Sequence, residues 1–345
     1  MPLDEVGGGR RQRGAASWLR SYLLVGMAIC CICTTLVVWN CSCSVESSQR
    51  EHNLPIRETA TPMATRVEKP RTFLLIAVLS SPGDSAIRAV IRDSWMRLSS
   101  SKARGTVIVR FPLGTNSLSV VEKERLTEEQ AAHGDLALLP LLVEHYSNLT
   151  RKTLATMQWA HQHYDFDFLL KVDSDSFVRL GALLKSLRDV AHPRLYWGFL
   201  DGRAKPIRKG KWKESDWILC DRYLPYQLGG GYVLAYDLVA FLAQNARLLK
   251  LYKNEDVAVG TWLAGLDVKY VHDPRFDTEF RSRGCSNEYL ITHKKTPAEM
   301  LALYASLVGT QKLCEQEFRS RASYMYDWSV PPSQCCARSN SSKIP

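Results

Sequence analysis

The stretch FDFLLKVDSD, residues 166–175, constrains the fold of this chain more than any other. Its apolar run is typical of a buried strand, and it ends at two carboxylates one residue apart, Asp173 and Asp175. In open α/β sheets, ligands bind beyond the carboxyl ends of the strands. Carboxylate oxygens are also preferred ligands of Mg²⁺ and Mn²⁺. The stretch therefore predicts a strand that delivers two acids to a metal site; a plain polar turn is the alternative.

The N-terminal region has the pattern of a membrane anchor. Four arginines within the first twenty residues precede an uncharged apolar stretch at about 22–39, long enough to cross a bilayer as a helix. The basic flank places the N-terminus in the cytosol. We predict a cytoplasmic tail over 1–20, a transmembrane signal-anchor over 21–40 and a lumenal chain after it. A cleaved signal peptide is the alternative, but no small-residue cleavage site is evident.

The next segment, residues 41–70, is predicted to be a lumenal stem. Ser, Glu, Arg, Thr and Pro dominate it without apolar periodicity, so it cannot bury enough surface to fold. Residues 71–345 are then predicted to form one folded lumenal domain, large enough for a substantial core.

A lumenal domain can form disulfides and carry N-linked glycans. It contains five cysteines, an odd number, so at least one lacks a partner within the domain; spacing alone does not give the pairing. They are Cys220, Cys285, Cys314, Cys335 and Cys336. The sequons at Asn148 and Asn340 predict glycosylation.

The formal net charge of the chain is +10. In the lumen this charge favours an anionic small molecule or an acidic polysaccharide as partner, and no nucleic acid is expected. A basic surface that merely keeps the protein soluble is the alternative.

Strands alternate with helices along the first half of the domain. Apolar runs at about 72–79, 106–111 and 136–143 precede the one that ends at Asp173, and helices are predicted at about 85–96, 120–133 and 149–164. This alternation predicts an α/β fold with a mostly parallel central sheet flanked by helices. The second half is less regular, which favours a binding region built on loops.

Three motifs of the second half can carry chemistry. Gly229–Gly231, after Tyr226, predicts a close-approach turn beside an aromatic ring. Glu255 and Asp256 open an apolar helix, where an acid either stabilises the helix end or acts as a general base; Asp256 is the first candidate and Glu255 the second. His272 and His293 are each candidate metal ligands, although a lone histidine is usually a satisfied polar group.

Aromatic residues crowd the region between Leu195 and Gln227. Rings with polar rims suit carbohydrate binding, while others of the set belong in the core. The set comprises Tyr196, Trp197, Phe199, Trp212, Trp217, Tyr223 and Tyr226.

Five ordered motifs resemble those of glycosyltransferase family 31, the inverting β-1,3-glycosyltransferases of the Golgi. They are IRAVIRDSW (87–95), YSNLTRK (146–152), KVDSDSF (171–177), YLPY (223–226) with GGY (230–232), and EDV (255–257) with Gly260. Further stretches resemble the members that add the second galactose of the glycosaminoglycan–protein linker. These are YWGF (196–199), HDPRFDTE (272–279), RSRGCSN (281–287), YDWS (326–329) and PPSQCC (331–336).

The resemblance implies a GT-A fold, UDP-galactose as donor, Mn²⁺ as cofactor and a type II Golgi membrane protein. It implies metal binding by Asp173, Asp175 and His293 rather than His272, with Asp173 also near the donor ribose, and Asp256 as catalytic base. The family commonly has three consecutive acids, and Ser174 replaces the middle one.

Further residues are assigned to the two substrates. Arg88, Arg92 and Lys152 are candidates for holding the donor, with solvated surface charge as the alternative. The candidates for binding the acceptor sugar are Trp197, Tyr226, Gly230, Gly231 and Glu255.

The expected reaction is galactose transfer to O3 of a terminal β-galactose, on the galactosyl-xylosyl linker of a proteoglycan core protein. The alternatives are transfer of N-acetylglucosamine or N-acetylgalactosamine, or a catalytically silent Golgi protein that binds sugars.

Overall fold

A seven-stranded sheet organises the part of the chain that the structure, a computed structural model, describes: residues 68–99, 106–341 and 343–345. The strands are β1 (Arg71–Leu79), β2 (Val107–Asn116), β3 (Leu136–Val143), β4 (Asp165–Asp173), β5 (Phe177–Val178), β6 (Leu195–Gly198), β7 (Leu200–Asp201), β8 (Tyr226–Gln227), β9 (Gly231–Ala235), β10 (Lys269–His272), β11 (Phe276–Asp277), β12 (Gly284–Cys285), β13 (Ile291–Thr292) and β14 (Phe318–Arg319). The α-helices are α1 (Ser85–Asp93), α2 (Val120–His133), α3 (Leu149–His163), α4 (Leu180–Val190), α5 (Tyr236–Gln244), α6 (Glu255–Leu263) and α7 (Pro297–Thr310).

The strand order of the main sheet is β10-β6-β9-β4-β1-β2-β3. Six of its strands are mutually parallel, and β9 runs antiparallel between β4 and β6. The predicted α/β class with a mostly parallel sheet is therefore confirmed. Because β4 lies at the centre, its carboxyl end has neighbouring strands on both sides.

The central strands are nearly continuous apolar runs because helices cover both faces of the sheet. Alternate residues of β1 enter two separate cores: Leu74 and Ile76 lie in one, and Leu75 and Ala77 in the other. The first core takes residues from α1, α4 and α7, and the second takes residues from α3, α5 and α6.

A small second sheet, β11-β13-β5, sits beyond the end of β4. The chain leaves β4, passes through Asp175 and enters β5, which pairs antiparallel with β13. The backbone N–H of Lys295 also donates to the carbonyl of Asp175 over 2.8 Å. This pairing brings the residues after β13, including His293, to the same edge as the acids after β4.

The element predictions of the first half are largely confirmed, with two corrections. α1 ends at Asp93 rather than near Met96, and a 3-10 helix, Trp95–Ser99, follows it. β2 continues through Pro112 to Asn116, beyond the predicted end near residue 111. Beyond Arg110 only β3 pairs with β2, and a proline is tolerated where a strand lacks its second neighbour.

Two disulfides form within the described domain, Cys285–Cys314 and the adjacent pair Cys335–Cys336. Cys220 is left as an exposed free thiol, so the odd cysteine count has the expected consequence. The predicted tail and anchor, and most of the predicted stem, lie outside the described residues. Among the residues described, no helix has the length and apolarity needed to span a membrane.

Gly260 provides a stability test, because α6 packs its backbone directly on Tyr226. A Cβ at Gly260 would lie 2.4 Å from the Tyr226 Cβ and 2.9 Å from the Pro225 carbonyl oxygen. Gly260→Ala is expected to reduce the free energy of unfolding by about 1–3 kcal/mol through overpacking. Urea denaturation of the folded domain measures this. Gly265→Ala is the matched control, since nothing lies within 4 Å of its Cβ; equal unfolding midpoints for the two variants would contradict the prediction.

Candidate active site

Two acids and one histidine converge at the carboxyl edge of β4. Asp173, Asp175 and His293 each offer a ligand atom, and these atoms lie within 4.8 Å of one another. The His293 Nε2 is 2.9 Å from the Asp175 Oδ1 and 3.5 Å from the Asp173 Oδ2. Among the described residues this buried nitrogen has no hydrogen-bond partner of good geometry.

Backbone contacts orient the imidazole of His293 toward the two acids. Its backbone N–H donates to the carbonyl of Asp277 over 2.9 Å, and its Nδ1 lies 3.2 Å from the carbonyl of Glu279. A contact of this kind at one ring nitrogen fixes which nitrogen faces a metal. Gly230 packs against the same ring, and a Cβ there would lie 2.6 Å from Nδ1.

The electrostatics of the group suit a divalent cation. Burial disfavours the imidazolium, but the contacts with Asp173 and Asp175 outweigh it and raise the pKa of His293 to about 9. Burial likewise opposes ionisation of Asp173, but the charges of Lys171 and His293 hold its pKa well below the usual range. A cation that binds here has to displace the proton of His293. Two carboxylate oxygens and one imidazole nitrogen are a ligand set that divalent metals accept.

A metal-binding test follows from this geometry. Asp175→Asn and His293→Ala should each weaken Mn²⁺ binding by about tenfold or more, because second-sphere changes alone cost that much. Lys294 holds the Asp175 Oδ2 at 2.9 Å on the exposed side. Lys294→Ala removes a competing cation and should therefore keep or tighten binding. Titration calorimetry without donor measures all three; unchanged affinity in the Asp175 and His293 variants would exclude this group as the metal site.

Asp256 lies near this group, in the first turn of α6. Its Oδ2 accepts a hydrogen bond from the backbone N–H of Gly229 over 3.0 Å. Burial and the negative charge of Glu255 raise the pKa of Asp256 to about 7. A carboxylate with a pKa near neutrality is suited to act as a general base.

The buried Lys171 connects the metal group to α6. Its Nζ lies 2.8 Å from the Asp173 Oδ1, 3.1 Å from the Glu255 Oε2 and 2.6 Å from the carbonyl oxygen of Gly229. The hydroxyl of Tyr232 also donates to Glu255. Glu255 is thus engaged in a buried ion pair, and this leaves Asp256 as the better candidate for the base. Sequence reasoning missed Lys171, although a lysine inside an apolar strand signals a buried partner.

The imidazole of His272 is bonded to backbone groups on both sides. Its Nδ1 accepts a hydrogen bond from the backbone N–H of Leu200 over 3.0 Å, and its Nε2 lies 2.9 Å from the carbonyl of Tyr324. Burial lowers the pKa of His272 to about 4. Both ring nitrogens are occupied by backbone groups, which leaves neither for a metal.

The three cations assigned to the donor all have internal partners. Arg88 is fully buried and pairs with Glu129. Arg92 pairs with the same carboxylate and with Asp135. These contacts give the two arginines a structural role, because a direct contact with a donor requires breaking a buried ion pair.

Lys152, the third of these cations, pairs with Glu144 and donates to the carbonyl of Ser80. Ser80 directly follows β1, the neighbour of β4. Lys152 is thus anchored near the carboxyl end of β1, and its contact with the donor stays a prediction.

The residues assigned to the acceptor separate into two groups. Trp197 is fully buried and its Nε1 donates to Asp273 over 3.1 Å, so its ring belongs to the core and does not face a sugar. Gly230 and Gly231 belong to the glycine turn, where Gly230 packs on the His293 ring; Tyr226 precedes this turn and packs on Gly260 of α6. Their contact with an acceptor stays a prediction.

The two sequons differ in their surroundings. Asn148 is half-buried, and its Nδ2 donates to the carbonyl of Val143 over 3.0 Å. Asn340 is exposed. Both remain predicted glycosylation sites.

Comparison with known proteins identifies the family. The sequence profile described as Galactosyltransferase matches residues 86–274, and the chain belongs to this family. Among individual relatives, "Beta-1,3-galactosyltransferase 6" of Mus musculus is 44% identical over 324 residues, which cover 92% of this chain and 96% of the relative. The family 31 resemblance is therefore confirmed.

Two more distant relatives match over shorter shares of their own lengths. "Beta-1,3-galactosyltransferase GALT1" of Arabidopsis thaliana is 31% identical over 284 residues, 79% of this chain and 43% of that protein. "UDP-GalNAc:beta-1,3-N-acetylgalactosaminyltransferase 2" of Danio rerio is 36% identical over 154 residues, 44% of this chain and 31% of that protein.

Proposed function

We propose that this chain is an inverting β-1,3-galactosyltransferase with a GT-A fold that transfers galactose from UDP-galactose to O3 of a terminal β-galactose. One observation carries the proposal: a candidate base and a candidate metal group lie on the two sides of a single glycine turn. Gly229 donates to Asp256, and Gly230 packs on His293. Two consecutive glycines, 229 and 230, thus lie between the candidate base and the group that would hold the metal and the donor diphosphate.

In the proposed reaction, Asp256 accepts the proton of the acceptor O3 as that oxygen attacks the anomeric carbon. Attack from the face opposite the leaving diphosphate converts an α-linked donor into a β-linked product in one displacement. No protein nucleophile is required. Glu255, held by Lys171 and Tyr232, keeps the neighbouring base at a raised pKa and fixes the start of α6.

Asp173, Asp175 and His293 would hold a divalent cation, and we propose Mn²⁺. When bound, it supplies charge neutralisation for the departing diphosphate. Asp173 is also the acid tied to Lys171, so it is held in place before any cation binds. Asp173 and Asp175 come together with His293 in a chain that has serine at position 174, which supports metal binding by the outer two acids.

The proposed acceptor is the galactosyl-xylosyl linker of a proteoglycan core protein. The relative of Mus musculus, which matches nearly the whole chain, is named a β-1,3-galactosyltransferase, and this supports galactose and the β-1,3 linkage. The apolar stretch at about 22–39 supports the proposal of a type II membrane anchor over 21–40, and the family resemblance supports a Golgi protein with its catalytic domain in the lumen.

A transfer assay tests donor, linkage and base together. The lumenal fragment from residue 45 onward, supplied with UDP-galactose, Mn²⁺ and a galactosyl-β-xyloside, should yield a new β-1,3-linked galactose, identified by linkage analysis. Asp256→Asn should reduce kcat by at least about a hundredfold, because general-base catalysis is worth that much, and should leave Mn²⁺ affinity unchanged.

The same assay with UDP-N-acetylglucosamine and UDP-N-acetylgalactosamine tests the alternative donors. Faster transfer of an N-acetylhexosamine would overturn the choice of galactose. No transfer from any donor by a folded protein that binds Mn²⁺ would favour a silent sugar-binding protein.

The pH dependence of the reaction follows from Asp256. Only the carboxylate form accepts a proton, so kcat/KM should fall by about tenfold per pH unit below about 7. Glu255→Gln removes the neighbouring negative charge that raises this pKa, so the acid limb should move to lower pH. Initial rates between pH 5 and 9 at saturating Mn²⁺ measure the effect. An acid limb that stays in place in the Glu255 variant would argue that another group limits the rate.

A further inference from the structure

Two exposed aromatic side chains contact each other beside the candidate active site. Tyr146 and Trp212 are 46% and 44% exposed, although both are large rings that proteins usually cover. The Trp212 Nε1 donates to the Tyr146 hydroxyl over 3.0 Å. We call these two side chains the aromatic pair. The sequence places them 66 residues apart, so only the tertiary structure joins them.

Contacts on both sides hold the aromatic pair in place. The Lys211 Nζ lies 4.1 Å from the centre of the Tyr146 ring, which orients that ring by a cation–π contact. The carbonyl of Trp212 accepts a hydrogen bond from the Asn254 Nδ2 over 3.2 Å. Asn254 directly precedes α6. The loop that carries Trp212 is therefore tied to the helix that carries Asp256.

The aromatic pair also lies at the edge of the sheet that carries the metal group. Tyr146 opens the 3-10 helix Tyr146–Asn148, just after β3 at the carboxyl edge of the sheet. Burial raises the pKa of its phenol, the Trp212 hydrogen bond lowers it, and the charges of Asp256 and Asp173 raise it further. Because β3 and β4 run parallel in one sheet, Tyr146 follows its strand at the same edge of the sheet as Asp173.

We propose that Tyr146 and Trp212 form the platform on which the acceptor's terminal β-galactose stacks, with its O3 directed toward Asp256. This inference rests on the proposed function and names the residues that bind its acceptor. A hexose presents an apolar face of C–H groups and a polar rim, which match an aromatic face and nearby polar groups. The hydrogen bond from Asn254 ties Trp212 to α6, the helix that carries Asp256. This favours the acceptor sugar over the donor's uracil as the ligand of the pair, because the general base must contact the acceptor hydroxyl.

Substitutions at Trp212 separate acceptor from donor binding. Trp212→Ala should raise the KM for the galactosyl-β-xyloside by about tenfold or more, as loss of a central aromatic anchor does, with the KM for UDP-galactose unchanged. Trp212→Phe keeps an aromatic face without the N–H donor and should restore most of the acceptor affinity. Trp328→Ala is the matched control, since Trp328 is 58% exposed and contacts Tyr326 and Tyr270 instead.

Three outcomes would overturn the inference: an unchanged acceptor KM in Trp212→Ala, a rise confined to the donor KM, or an equal rise in Trp328→Ala. A thermal unfolding curve for each variant excludes loss of fold as the cause.

A binding readout keeps this inference distinct from the proposed function. Saturation-transfer NMR of the galactosyl-β-xyloside, with UDP and Mn²⁺ present, should show saturation of the galactose ring protons. Trp212→Ala should abolish this saturation. Transfer by the wild type with no effect of Trp212→Ala on either readout contradicts the platform alone. Saturation without transfer contradicts the proposed function alone, and absence of both contradicts the two together.

Discussion

The buried ion pairs of Lys171 are the interaction on which the candidate site depends. A lysine at 2% exposure in the central strand is tolerated only because two carboxylates, Asp173 and Glu255, neutralise it. One of these acids belongs to the metal group and the other to the helix that carries Asp256. Removing one partner of such a buried pair generally costs about 3–5 kcal/mol. The lysine thus couples the position of the metal group to that of the base.

Two glycines, Gly229 and Gly230, have a steric role in the candidate site. The turn between β8 and β9 passes between His293 and Asp256, and its backbone contacts both. A side chain at Gly230 would occupy the space of the imidazole, and one at Gly229 would approach the Asp256 carboxylate to 3.2 Å. The absence of side chains therefore lets the Asp256 carboxylate and the His293 imidazole lie against the same turn.

The sequence predicted local features and misjudged contacts between distant segments. The strand before Asp173, the helix after Asn254 and the close-approach glycines follow from apolar runs and residue type, and all are present. Trp197 and Arg88 were assigned to substrates because aromatic and basic residues suit sugars and phosphates. Both side chains are fully buried. A single sequence does not show which face of an element meets solvent, so their burial could not be predicted from it.

The sequence by itself determined the α/β class, the family, and the presence of two acids at a strand end, because these depend on short-range periodicity and on ordered motifs. The residues alone left His272 and His293 as equal candidates and the family resemblance implied His293; the tertiary structure shows why His293 joins those acids. The backbone satisfies both nitrogens of His272, whereas the β5–β13 pairing carries His293 to the end of β4. The tertiary structure alone decided that Tyr146 and Trp212 meet at the surface, with Trp212 bonded to the residue before α6, because contacts between residues far apart in the chain arise only when the sheet and its loops have packed.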